Sequence, residues 1–163
     1  MILGIDPGLT NIGFAVIRGD GSFKVSGVLA ITTGMVDCEL AVAFEDLQEL
    51  LLDHWEDPWV GNVMAVEGCY VGGNARLAVR LGEIVGLVHA LAIMADVEFM
   101  EIAPASARKA LTGNGRAADR RALQCAWEHA GNDSLTIHEA DALGVALAAL
   151  EVLGKSGEGG EAE

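Results

Sequence analysis

The chain of 163 residues is poor in several residue types that mark particular protein classes. Only 5% of its residues are aromatic, so alanine, valine, leucine and isoleucine must build the core. Its three cysteines are odd in number and widely spaced, which gives no zinc-binding pattern and fits a reducing compartment. The longest apolar helical stretch, around residues 84–95, is interrupted by His89 and is too short to span a membrane. The start, MILGIDPG, lacks the basic segment and cleavage site of a signal peptide. We therefore expect a cytoplasmic protein with no membrane partner.

Basic residues are also scarce, since ten of them face 24 acidic residues and the formal net charge is −14. Taken alone, this balance argues against a nucleic-acid partner. The window of residues 76–121 differs, because its seven basic and five acidic residues give a net charge of +2 and leave −16 on the rest. It is either a solvated surface with scattered charge or a local basic strip. The seven basic residues are Arg76, Arg80, Arg108, Lys109, Arg116, Arg120 and Arg121.

What the chain does contain is an ordered series of strand and helix patterns. Short apolar runs between turn residues predict strands at 1–6, 11–18, 22–33, 62–67 and 97–102. Apolar residues at helical spacing predict helices at 39–54, 74–95, 104–111, 117–130 and 138–153. Hairpins followed by alternating helices and strands predict an α/β fold, with a mixed five-stranded sheet flanked by helices on both faces. Residues 1–153 would form one domain, and residues 154–163, rich in glycine and glutamate, a disordered acidic tail.

Two predicted strands end in a carboxylate just before a glycine-bearing loop. Asp6 follows the run ILGI, and Glu67 follows VMAV. The last helix begins with His138, Glu139 and Asp141, of which His138 and Asp141 share a helical face. Carboxylates about 4 Å apart repel by roughly 4 kcal/mol at a protein surface, and a divalent cation turns that repulsion into binding. Oxygen ligands with one imidazole suit Mg²⁺ or Mn²⁺, and two such ions would support phosphodiester hydrolysis.

Each of these residues also has a purely structural interpretation. Asp6 would cap the turn that follows it, and Glu67 would be an exposed strand end. His138 would be part of the helix N-cap region, and Glu139 or Asp141 would simply favour the helix dipole. For any one residue the structural interpretation is the commoner one. Taken together with the order of the elements, the functional interpretation prevails.

Four segments, in this order, resemble the RuvC family of Holliday junction resolvases. They are GIDPGLTNIGFAVI at 4–17, VEGCYVGGNARLAVRLGEIVG at 66–86, IAPASARKALTGNGRAADRRAL at 102–123 and HEADALGVALAAL at 138–150. The resemblance runs from about residue 1 to residue 151. It implies a ribonuclease H-like fold and a homodimer that cuts branched DNA with divalent metal, usually by two symmetric nicks across a four-way junction. It also implies action in the cytoplasm, which for a viral member would be the host's.

The resemblance implies a role for Asp6, Glu67, Asp141 and His138, which together are called the acidic group. Asp6 and Glu67 match the family's acids on the first and fourth strands, and Asp141 matches the acid of the last helix. His138 falls where the family carries either His or Asp. These four would be the catalytic metal ligands for two Mg²⁺ or Mn²⁺ ions per active site, with Asp6 bridging both. His138 would alternatively position or deprotonate the attacking water.

The loop after the fourth strand and the following helix match positions that the family uses for DNA and for its dimer. Tyr70, the only tyrosine, falls where the family often has an aromatic residue that stacks on bases, which is worth roughly 1–3 kcal/mol per base. Packing on its own loop is an equal alternative for this side chain. Asn74 matches a polar position near the DNA backbone. The helix at 74–95 carries the family's dimer surface, although core packing would also use its apolar residues.

The basic window matches the family with one departure. Arg108 and Lys109 match the basic site before a G-x-G loop. The family commonly has a lysine where this chain has Asp119, and Arg116 or Arg120 would substitute for it. The residues for which we predict DNA contact are Tyr70, Asn74, Arg76, Arg108, Lys109, Arg116, Arg120 and Arg121. This departure and the charge of −14 keep a broad-specificity debranching nuclease open beside a junction resolvase.

Other function classes fit part of the pattern. Asp6, Gly8 and Thr10 fit the Asp-x-Gly-x-Thr phosphate loop of sugar kinases and actin-like ATPases, which enclose ATP with a second large domain that 163 residues hardly allow. A non-cleaving, junction-binding relative is opposed by the intact acids. A ribonuclease or a YqgF-type relative of the same fold is a further alternative, although YqgF-like chains are usually shorter and lack the loop arrangement at 67–70.

Overall fold

The computed structural model describes residues 1–31, 42, 45–49, 62–69 and 75–158. Its strands are β1 (Ile2–Asp6), β2 (Asn11–Ile17), β3 (Phe23–Ala30), β4 (Val63–Glu67) and β5 (Glu98–Ile102). Its helices are α1 (Ala75–Met94), α2 (Pro104–Thr112), α3 (Asp119–Ala130) and α4 (Ile137–Glu158). Residues 42 and 45–49 are helical, as predicted, while the rest of the helix predicted at 39–54 lies outside the described residues.

The five strands form one mixed sheet in the order β3-β2-β1-β4-β5. β1 and β3 each pair antiparallel with β2, while β4 pairs parallel with both β1 and β5. In the β1–β4 pair, Ile5 lies opposite Val66. The next residue of each strand is an acid, so Asp6 and Glu67 leave the sheet side by side at the same edge.

Both faces of the sheet are covered, because alternate residues of the central strands are apolar on each side. On one face Leu3, Ile5 and Val66 pack with α1. On the other face Ile2 and Ala65 pack with α4 and its neighbouring helices. Much of the buried surface of α4 is alanine, which lets this helix approach the sheet closely. The predicted α/β architecture, with helices on both faces, is confirmed.

Two glycines of the sheet bring the backbone of α4 against β1 and β2. A Cβ atom on Gly4 would lie 2.6 Å from the amide nitrogen of Ala146 and would also overlap the carbonyl oxygen of Ala142. A Cβ atom on Gly13 would lie 2.6 Å from the carbonyl carbon of His138. The small residues therefore fix the distance at which α4 crosses the strand ends.

We predict that Gly4→Ala destabilises the protein by about 3 kcal/mol, because the added methyl group meets helix backbone rather than a flexible side chain. Urea denaturation measures the change. Gly154→Ala is the matched control, since this residue is exposed in α4 with nothing within 4 Å of its added Cβ, and it should gain up to about 1 kcal/mol. Equal stability of Gly4→Ala and the wild type would contradict the close contact.

Two features of the helices differ from the sequence-based predictions. α4 runs to Glu158 rather than ending at Leu153, because one glycine costs a helix only about 1 kcal/mol and Lys155 in the last turn favours the helix dipole. Residues 159–163 of the predicted tail lie outside the described part. α1 is, by length and composition, long enough to cross a membrane, so the expectation that no stretch is long enough was wrong. This is weak evidence for a membrane, because a helix that packs on the core of a soluble protein passes the same test.

Candidate active site

Asp6 and His138 form a hydrogen bond at the carboxyl end of β1. The Nδ1 atom of His138 lies 2.8 Å from Oδ2 of Asp6, whose side chain is only 14% exposed. Burial raises the pKa of Asp6, and the hydrogen bond and positive charge of His138 oppose that rise. The close approach of α4 to β2 at Gly13 holds the backbone of His138 in place for this contact.

Glu67 stands beside this pair at the end of β4. Among the described residues, no lysine, arginine or histidine side chain forms a salt bridge with its carboxylate. Burial and the negative charges of Asp6 and Asp141, opposed by the positive charge of Arg108, together raise the pKa of Glu67 to about 7. The carboxyl group of Glu67 therefore takes up a proton much more readily than a solvated glutamate does.

Asp141 lies one turn along α4 from His138. Burial raises its pKa to about 6, Arg108 opposes the rise, and the charges of Asp6 and Asp119 contribute to it. The Nη2 atom of Arg108 contacts Oδ1 of Asp141 at 3.0 Å. The structure thus brings the four predicted ligands into electrostatic reach of one another, while their catalytic roles stay predictions.

Glu139, the remaining acid at the start of α4, points away from this group. One oxygen accepts a hydrogen bond from the Ser26 hydroxyl at 2.8 Å, and the other accepts from the backbone N–H and hydroxyl of Thr136, both at 2.8 Å. This is a capping box, T-x-x-E, which satisfies free donors at a helix start. For Glu139 the structural interpretation is therefore the right one, and the T-x-x-E spacing was the signal for it.

A cavity of about 430 Å³ opens beside the acids. Glu67 and Asp141 line it from the strand ends and α4, while Arg108 and Arg116 line it from α2 and the loop before α3. The remainder of its wall comes from residues 104–105, 115 and 117. A space with acidic and basic walls has the chemistry to hold a cation and a phosphate together.

The predicted DNA-binding residues occupy different surroundings. Arg76, Arg116, Arg120 and Arg121 are exposed. Lys109 is also exposed, but it lines a second cavity with Glu101, Glu151 and Lys155 rather than the one beside the acids. Arg108 is mostly buried and contacts both Asp119 and Asp141, so it is not a free surface cation. Tyr70 and Asn74 lie outside the described residues.

The donor set suits a hard divalent cation. Three carboxylates and one imidazole offer oxygen and nitrogen ligands, and Asp6 raises the pKa of both Glu67 and Asp141, which is the repulsion that a cation relieves. Across the described ranges, no three acidic, histidine or cysteine side chains already converge at ligand spacing. Arg108 supplies positive charge to Asp141 in this arrangement.

The sequence and the fold both match known proteins. A family model described as "Crossover junction endodeoxyribonuclease RuvC" matches residues 2–149. A protein of that name from Chlorobium phaeovibrioides is 32% identical over 162 residues, which cover 90% of this chain and 79% of the relative. One from Ectopseudomonas mendocina is 31% identical, with 90% and 84% covered, and one from Chlorobium phaeobacteroides is 32% identical, with 72% and 62% covered.

Two solved structures from Thermus thermophilus share the fold. The RuvC structure has a TM-score of 0.76 and 24% identity, covering 94% of this chain and 96% of the other. RuvC in complex with a Holliday junction substrate has a TM-score of 0.77 and 22% identity, with 93% and 94% covered. The predicted ribonuclease H-like fold is confirmed.

Proposed function

The chain belongs to the RuvC family of crossover junction endodeoxyribonucleases, and from this premise we propose that it resolves Holliday junctions by metal-dependent hydrolysis of phosphodiester bonds. The observation that carries the proposal is the grouping of Asp6, Glu67, His138 and Asp141 beside a cavity that Arg108 and Arg116 also line. Family membership also removes the main support for the phosphate-loop alternative at residues 6–10. A phosphate loop of that kind belongs to enzymes with two large domains, whereas the described residues of this chain form one five-stranded sheet.

Each residue of the group has a proposed task. Asp6, Glu67, Asp141 and His138 would hold Mg²⁺ or Mn²⁺, two ions per active site, and such ions activate water and stabilise a leaving oxygen. Because Nδ1 of His138 faces Asp6, its Nε2 would be the nitrogen that holds an ion or takes a proton from water. Arg116, which lines the cavity, would bind the phosphate.

We propose that the protein acts as a homodimer on four-way DNA. The apolar residues Val79, Ile93 and Met94 of α1 are more than 60% exposed in the single chain, which supports a second copy on this helix. Two copies would supply the two active sites that paired nicks require. The exposed arginines Arg120 and Arg121 would contact the DNA backbone, in a manner that weakens as salt concentration rises.

The experiment is cleavage of labelled four-way junction, replication fork, flap and linear duplex by the wild type with Mg²⁺, Mn²⁺ or a chelator. Symmetric nicks in the junction alone, dependent on the cation, are the expected result. Cuts in every branched substrate would replace the junction resolvase by a broad-specificity debranching nuclease. Binding of the junction without a cut in any cation would instead favour a non-cleaving relative.

A further inference from the structure

The guanidinium group of Arg108 forms ion pairs with two carboxylates that come from different helices. Its Nη1 atom lies 3.1 Å from Oδ1 of Asp119, and its Nη2 atom lies 3.0 Å from Oδ1 of Asp141. The Arg108 side chain is 19% exposed, whereas that of Asp119 is 75% exposed. The exposed carboxylate of Asp119 therefore contacts the same guanidinium group as Asp141, a mostly buried member of the acidic group.

Asp119 stands at the first residue of α3, where an acid also favours the helix dipole. The interaction with the helix dipole requires no particular partner and does not determine where the carboxylate points. Here the carboxylate is directed at Arg108, eleven residues earlier on another helix. The ion pair thus connects α3 to α2 beside the cavity that Arg108 lines.

We propose that Asp119 is a positioning residue, which acts through Arg108 and keeps its guanidinium group beside the cavity whether or not Asp141 binds a divalent cation. This inference rests on the proposed function, because it concerns the same acids. A guanidinium offers five N–H donors in a rigid fork, so one side of the fork stays on Asp119 when the other is released. The released side then faces the space that a phosphate would enter.

Loss of Asp119 has a defined consequence under this proposal. Within the described part of the chain Arg108 would keep Asp141 as its only carboxylate partner, and it would compete with a divalent ion for that carboxylate. Cation binding would weaken, and the guanidinium would be less well placed for phosphate. The competing explanation is that Asp119 acts by its own negative charge, which attracts cations and repels DNA without any help from Arg108.

A double-mutant cycle separates these explanations. Mn²⁺ affinity by calorimetry, and KM and kcat on the four-way junction, are measured for the wild type, Asp119→Asn, Arg108→Gln and the double variant. We expect Asp119→Asn to weaken Mn²⁺ binding about tenfold and to raise KM, because Arg108, the partner of the proposed ligand Asp141, is no longer held in place. In the Arg108→Gln background the same change should alter either quantity less than about twofold. Asp119→Glu, which keeps the charge and reaches the same fork, should restore most of the affinity.

Glu128→Gln is the matched control, because it removes one negative charge from the same helix about 14 Å further along. It should leave Mn²⁺ affinity and KM unchanged. An equal effect of Asp119→Asn in both Arg108 backgrounds would overturn the positioning role and leave the proposed function intact. Absence of Mn²⁺ binding by the wild type would overturn the proposed function, and this inference with it.

Discussion

Asp6→Asn is expected to reduce the rate of junction cleavage by roughly a thousandfold or more, while junction binding is retained. Asp6 interacts with every other residue of the acidic group, since it is hydrogen-bonded to His138 and its charge raises the pKa of both Glu67 and Asp141. Asparagine keeps the shape of the side chain but removes its charge and one of its ligand oxygens. The cation site would then lose one of its charged donors.

Binding should survive the same change for an electrostatic reason. DNA phosphates are repelled by the acidic group, so removal of one negative charge leaves affinity equal or slightly higher. Single-turnover cleavage and gel-shift titration measure the two quantities on the same junction. Asp133→Asn, an exposed substitution of the same chemical kind outside the acidic group, serves as the control and should cut at the wild-type rate. Cleavage by Asp6→Asn at that rate would rule out the acidic group as the catalytic site.

Glu67→Gln should have opposite effects on activity and on stability. Cleavage should fall by a factor similar to that of Asp6→Asn, because the strand-end carboxylate is a proposed ligand. The metal-free protein should become more stable above pH 7, since ionised Glu67 is buried beside two other acids. A pKa raised from 4.5 to about 7 corresponds to a cost of roughly 3 kcal/mol at most. Catalytic sites commonly carry such a cost in stability.

The pH dependence follows from the direction of that shift. Because the folded-state pKa of Glu67 is higher than its unfolded value, the folded protein binds more protons between pH 4.5 and about 7. The contribution of this group to stability is therefore fully present below pH 4.5 and is lost as the pH rises to about 7. Above pH 7 the ionised Glu67 destabilises the folded wild type by the full amount, whereas the glutamine variant has no such charge and is not destabilised.

Thermal unfolding in a chelator at pH 5 and pH 8 tests this prediction. The melting temperature of Glu67→Gln should exceed that of the wild type by several degrees at pH 8 and by much less at pH 5. Glu128→Gln, on the exposed face of α3, should shift the melting temperature little at either pH. A Glu67→Gln variant less stable than the wild type at pH 8 would show that the acids are not in conflict.

The acids at the strand ends could be predicted because strand sequence is local. A run of apolar residues that stops at a carboxylate marks a strand end, and the parallel pairing of β1 with β4 then places Asp6 next to Glu67. His138 and Asp141 followed from helical spacing. These inferences need only the period of each element and the order of the elements.

Contacts between elements could not be predicted in the same way. The prediction that Arg108 contacts DNA came from its match to the family, but its two carboxylate partners depend on how α2, α3 and α4 pack. The need for glycine at positions 4 and 13 depends on how closely α4 approaches the sheet, which no local pattern records. The capping role of Glu139 was readable from T-x-x-E and was outweighed by its neighbours in the acidic group.

Linearisation of a supercoiled plasmid that extrudes a cruciform is the most direct measurement of coordinated junction resolution. Two nicks placed symmetrically across the four-way junction within one binding event convert the circle to a linear product. Single or unpaired nicks relax the plasmid, which abolishes the cruciform and leaves an open circle. We expect a linear product with Mg²⁺ or Mn²⁺ and none in a chelator. Open circles as the only product, or no cation-dependent product, would contradict a dimeric resolvase with two such acidic sites.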